Sequence, residues 1–145
     1  EAAHKKQMIK VSKRIRDGHI LMHDPTRRFI KEGDLVKKSS RFGKSFSTYR
    51  FFLFSDLLVY AKQSQSGDYK VHEELSLHVL KIVDWFPNKQ QMKTSFAVHH
   101  PRKTFTVMCK DQEERSEWLL AIRAAAQESE AKLSAIVTKQ KARQN

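Results

Sequence analysis

Hydrophobic positions recur at helical spacing mainly toward the two ends of this chain. Across residues 111–127, Trp118, Ala121, Ile122 and Ala125 fall at i, i+3, i+4 and i+7, with Leu119 widening the stripe and Glu114, Arg115 and Arg123 off it. Asp111 followed by Glu114 gives a capping-box pattern, and acidic residues crowd the first turn, where the helix dipole favours them. The spacing predicts a helix whose apolar stripe covers a core. Within residues 1–20, Met8, Val11 and Ile15 repeat the helical spacing and Gly18 offers a stop, but the stripe is thin. Two readings follow: a helix whose packing partner lies upstream, or a helix lying in a membrane interface. The stripe carries no large aromatic residue, which favours the first.

Between the ends the period shortens to two. Asp24-Pro25 breaks the chain, and residues 29–38 read as a first strand followed by a loop containing Gly43. Residues 49–54 form an aromatic strand, Ser55-Asp56 a tight turn, and residues 57–62 the return strand. Tyr69, Val71 and Leu75 alternate with polar residues in a fourth strand, and residues 79–85 give a fifth, ended by Pro87-Asn88. Residues 95–100 and 104–110 pair around His99-His100-Pro101-Arg102. Seven strands and a closing helix predict a mainly β fold, an antiparallel sandwich or barrel capped by a C-terminal helix, with an N-terminal helical extension. The expected division is an extension and linker over residues 1–28, the β domain over 29–127, and a helical C-terminal extension over 128–145.

Charge adds a partner class. Lys and Arg number 28 against 16 Asp and Glu, a formal net charge of +12, and residues 1–50 hold 14 of the basic side chains against 5 acidic ones. An anionic surface is what such a field attracts. The lone Cys109 has no partner for an intramolecular disulfide, and no run reaches the roughly 18 apolar residues of a membrane span, so a soluble, intracellular chain is expected. The polar, helical ends suggest a piece of a longer polypeptide.

Three motifs carry a family likeness. Lys31-Glu32-Gly33-Asp34-Leu35-Val36-Lys37, the run from Phe51 to Tyr60 through Leu53-Phe54-Ser55-Asp56-Leu57-Leu58, and Glu113-Glu114-Arg115-Ser116-Glu117-Trp118 resemble the first strand, second hairpin and closing helix of pleckstrin homology (PH) domains. The resemblance is to those that follow the Dbl-homology catalytic domain in Rho guanine nucleotide exchange factors. It implies a seven-stranded bent sandwich, plugged at one end by the helix and open at the other, where phosphoinositide head groups bind. It also implies that residues 1–20 resemble the end of the last Dbl-homology helix, and that exchange on a Rho-family GTPase belongs to an upstream domain. This piece is then a non-catalytic adaptor, cytoplasmic and peripheral at the membrane, a monomer that orients its catalytic neighbour. The alternative is a protein-interaction module of the same fold that binds a GTPase, the catalytic domain or a peptide.

An inositol polyphosphate requires Lys and Arg converging from opposed strands. Lys37 shares a face with Leu35 and is the first candidate, whereas Lys38 faces out. Arg41 and Lys44, flanked by Phe42 and Phe46, add loop charge. Counted back from Ser55-Asp56, the family arginine of the second strand falls on Tyr49, with Arg50 one place late. One residue of slip turns a side chain to the opposite face, so Arg50 reaches the mouth only if a bulge restores it. The candidate lipid ligands are therefore Lys37, Lys38, Arg41, Lys44 and Arg50. Trp85 and Phe86 are candidates for protein contact if exposed.

Other chemistry is not supported. The seven histidines lack a Glu-flanked pair at zinc spacing, and Cys109 lies in a predicted core strand, so no metal or other cofactor is expected. Nucleic acid is not an expected partner, for want of a recognition helix or an aromatic-studded basic sheet face. Nothing resembles a nucleophile elbow, a phosphate-binding glycine loop or a paired-carboxylate site.

Overall fold

The computed structural model describes residues 2–39 and 45–144. Seven strands, β1 (Phe29–Ser39), β2 (Ser45–Phe54), β3 (Leu57–Gln63), β4 (Tyr69–Ser76), β5 (Lys81–Val83), β6 (Ser95–His99) and β7 (Thr104–Met108), form one antiparallel sheet in the order β4-β3-β2-β1-β7-β6-β5. Leu75 of β4 and Phe96 of β6 share one core, so the sheet curls until its two halves face each other. Helix α3 (Gln112–Gln144) closes one end.

The predicted stripe packs as expected: Trp118, Leu119, Ile122 and Ala125 are buried. Trp118 lies over β1 at Gly33, where an added Cβ would stand 3.3 Å from the indole. Its start is capped on both sides: Glu114 N–H donates to Asp111 Oδ1 at 2.8 Å, and Lys110 N–H donates to Glu114 Oε1 at 2.9 Å.

Three expectations need correction. The fifth strand is only Lys81–Val83, because Leu77–Val79 forms a 3-10 turn first. Helix α2 (Lys89–Thr94) was not expected; Asn88 starts it by accepting from Gln90 N–H and Gln91 N–H at 2.9 and 3.0 Å. The third correction concerns the N-terminal helix α1 (Ala2–Arg14), whose thin stripe finds its partner within the chain. Met8, Val11, Ile15 and Leu21 bury against Phe52, Phe54, Val59 and Ala61 on the outer face of β2 and β3. Each such side chain contributes about 1.5–3 kcal/mol before ordering costs. Both parities of the aromatic run are thus buried, Phe51 and Leu53 inside and Phe52 and Phe54 beneath α1.

The chain leaves α1 through Asp17, at φ 58, and Gly18, where an added Cβ would fall 2.0 Å from the Ser12 carbonyl oxygen. A side chain at position 18 would lift the following 3-10 turn (Gly18–His23) off the helix. Arg27 then ties this linker to the β2–β3 turn, donating to both Asp56 carboxylate oxygens at 2.8 Å and to the Leu21 carbonyl at 2.9 Å.

Candidate functional site

The β1–β2, β3–β4 and β6–β7 connections all lie at the end away from the α3 plug. Alternation along β1 turns Gly33, Leu35 and Lys37 inward, opposite Phe51, Tyr49 and Ser47 of β2. Lys37 is half-buried, its ammonium 5.6 Å from the Tyr49 ring centre, 5.2 Å from Tyr60 and 5.1 Å from Phe105. Ring faces stabilise a cation in part, each by about 0.5–1 kcal/mol at a site open to water. Burial, and then repulsion from Lys103 of the β6–β7 turn, push the Lys37 pKa down.

Tyr49 is the centre of this cluster. Lys62 of β3 places its ammonium 4.9 Å from the Tyr49 ring centre, and the His72 ring of β4 meets the same ring edge-on at 5.0 Å. Among the described residues, neither Lys37 nor Lys62 forms an ion pair. Glu73, the acid nearest in β4, is held by Arg102 at 3.2 Å. Burial, then the charge of Glu73, push the neighbouring Tyr60 phenol up to about 12, so it stays protonated at neutral pH.

Arg50 stands elsewhere. It pairs with Asp34 in register on the outer face, donating to Glu32 at 2.7 Å and lying 3.3 Å from Asp34. Glu32 also accepts two bonds from Arg14 of α1 at 2.9 and 2.8 Å, so one carboxylate links the helix to the sheet. The register shift in β1 falls between Phe29 and Lys31, too far from Arg50 to turn it inward. Burial alone would raise the Glu32 pKa, but the hydrogen bonds from Arg14 and Arg50 outweigh it and hold the carboxyl below its usual range.

Lys38 faces out, its ammonium 5.8 Å from the ring of Phe46, which is 51% exposed at the rim. Arg41 and Lys44, with Phe42, lie outside the described residues. Trp85 is 64% exposed and Phe86 half-buried, both near the plugged end, where Arg115 donates to the Asp84 and Ser95 carbonyls. Of the sequence-derived residues that are described, then, Lys37 alone joins the Tyr49 cluster. Lys62, His72 and Lys103 were missed. Continuing the alternation Leu58, Tyr60, Lys62 would have found the first. Cys109 is buried, and burial pushes its thiol up to about 12, which leaves it inert. No described helix is long and apolar enough to cross a membrane.

Comparison with known proteins agrees with this architecture. The PH domain family matches residues 29–127. The chain is 35% identical over 112 residues to the human FYVE, RhoGEF and PH domain-containing protein 6, covering 77% of this chain and 8% of that protein. It is 30% identical over 105 residues to the mouse FERM, ARHGEF and pleckstrin domain-containing protein 2, covering 71% and 10%. Among solved structures, an activated truncation of Vav1 superposes with a TM-score of 0.72 at 18% identity, covering 86% of this chain and 33% of that one. The DH/PH domain of human ARHGEF11, in a ternary complex with RhoA and its inhibitor, gives 0.67 at 15% identity, covering 87% and 40%. This chain thus spans about a tenth or less of its curated relatives and under half of these solved chains. The chain belongs to the PH domain family and is homologous to the PH domains of Rho guanine nucleotide exchange factors.

Proposed function

We propose that this PH domain is a non-catalytic adaptor of a Rho exchange factor, docking weakly on phosphoinositides or other anionic lipids of the cytoplasmic leaflet and orienting the catalytic domain. One observation carries the reading: Lys37 and Lys62 converge from two strands on Tyr49 without an acidic partner among the described residues. Neighbouring positive charges without an acidic partner suit a multivalent anion. Lysines, unlike the forked guanidinium, act as point charges, which favours charge density over stereospecific recognition. Basic groups near an anionic leaflet contribute on the order of 1 kcal/mol each, so binding is weak and salt-sensitive, and the exposed Phe46 supplies a ring that can enter the interface.

Orientation follows from α1. On this reading residues 1–28 end the upstream catalytic domain, residues 128–145 lead onward, and a Rho-family GTPase meets the full-length protein rather than the mouth. The packed outer face of β2 and β3 then fixes the angle between catalytic domain and membrane. Co-sedimentation with vesicles of different phosphoinositides, or of phosphatidylserine, at low and physiological salt tests the lipid reading. Binding that fades with salt and falls at least tenfold in Lys37→Ala/Lys62→Ala supports it; unaltered binding in that variant, or none by the wild type, rejects it.

A second reading, a protein-interaction module, draws on the opposite end. Trp85 is exposed there, and a groove of about 700 Å³ runs between β5 and α3, lined in part by Val79, Ile82, Ile122 and Leu133. Loss of partner capture by Trp85→Ala, with lipid binding intact, would favour it.

A further inference from the structure

We infer that His72 is a ligand of this same anion site and takes up a proton as a phosphate group enters, so that the open end grips phosphorylated headgroups more tightly in mildly acidic surroundings. The inference rests on the anion-binding reading above.

The placement comes from a bulge. Tyr60 pairs with Glu73 and Ala61 with Val71, so β4 carries one extra residue, His72, opposite no partner on β3. The exposed ring of this residue meets Tyr49 at 5.0 Å, the same ring that Lys37 and Lys62 approach at 5.6 and 4.9 Å. Three nitrogen-bearing side chains from three strands therefore surround one phenol. The charged and titratable groups facing His72 are Lys37 of β1, Tyr49 of β2, Lys62 of β3 and Lys70 of β4, while Glu73 beside it is engaged by Arg102 of the β6–β7 turn.

What burial the exposed ring has, then Lys62, Lys70 and Lys37, push the imidazole pKa down and favour its neutral form while the site is empty. An anion that neutralises the lysines removes their repulsion and accepts a hydrogen bond from the imidazolium. The bound pKa then lies above the free one, and by linkage affinity rises as pH falls from the bound pKa to the free one. A phosphomonoester opposes this trend, because it gains a proton itself near about pH 6. A polysulfate keeps its charge and isolates the contribution of His72.

The test is calorimetry of the 145-residue chain with inositol hexasulfate and inositol hexakisphosphate, in buffers of different ionisation enthalpy. Between about pH 8 and about pH 5.5, hexasulfate should bind about fivefold tighter with net proton uptake. His72→Asn should abolish both effects, and His72→Lys should bind at the higher pH as the wild type does at the lower. An unchanged pH response in His72→Asn, or no proton uptake by the wild type, overturns the inference. If binding needs Lys37 and Lys62 but is flat with pH, only the role of His72 falls; if neither polyanion binds, the anion site falls with it. Vesicles separate the sources: a pH response on phosphoinositide vesicles but not on phosphatidylserine vesicles assigns it to the headgroup. An equal response on both assigns it to surface charge and overturns the inference.

Discussion

Lys37 and Arg50 stand on adjacent strands of one sheet and have opposite fates. Arg50, on the outer face, is matched by Glu32 and Asp34 and helps fasten α1. Lys37, on the inner face, rests on three aromatic rings with its charge unmatched among the described residues. Parity alone separates them: one residue of register decides whether a cation is matched by carboxylates within the fold or stands on the inner face with none among the described residues. The outer face spends its charges on internal partners, and the mouth keeps its charges at some cost to stability.

The largest effect that would sharpen this contrast is on the outer face. Phe52→Ala removes a ring buried between β2 and α1 and is expected to cost about 3–5 kcal/mol in denaturant unfolding. It should also raise amide exchange throughout α1. Tyr49→Ala, at the half-buried mouth, should cost less and leave α1 protected. Equal costs would erase the distinction between the packed outer face and the open inner end.

Acid should act next, and through the outer face. The Glu32 carboxyl has a depressed folded pKa, so its stabilisation is present above its unfolded value of about 4.5 and is lost as pH falls through the folded value. Glu32→Gln should cost about 1–2 kcal/mol at neutral pH and flatten the decline in stability below about pH 4.5. A wild-type acid profile in that variant would place the acid sensitivity elsewhere.

At the mouth the sign reverses. The Lys37 pKa is depressed by burial and by Lys103, so its charge costs stability at neutral pH, a cost relieved as pH rises from the folded value toward the usual 10.5. Lys37→Met is therefore expected to stabilise the domain by about 0.5–1 kcal/mol, limited by partial exposure, while weakening polyanion binding. The smallest effect belongs to Trp85→Ala, expected to change stability by less than about 0.5 kcal/mol because the ring is exposed.

Much of this fold was legible in the residues. The Trp118 stripe and the Asp111–Glu114 cap are local patterns, and local patterns determine them. Part of what was not legible depended on contacts distant in sequence. The stripe of Met8, Val11 and Ile15 looked too thin to pack because the aromatic face it covers lies about forty residues on, in Phe52 and Phe54. Helix α2 escaped notice because Lys89–Thr94 is one short polar stretch whose start depends on the Asn88 cap. At the site, alternation placed Lys37 beside Leu35. His72 could not be found that way, since the bulge between Tyr60 and Ala61 shifts the register that alternation assumes.

The most direct test is a two-dimensional amide NMR titration of the chain with soluble inositol hexakisphosphate. Shifts are expected to centre on Lys37, Tyr49, Lys62 and His72, with Glu32, Asp34 and Arg50 unmoved. Shifts centred on Arg50 and its outer-face partners, with the Tyr49 cluster silent, would contradict an inner-face anion site.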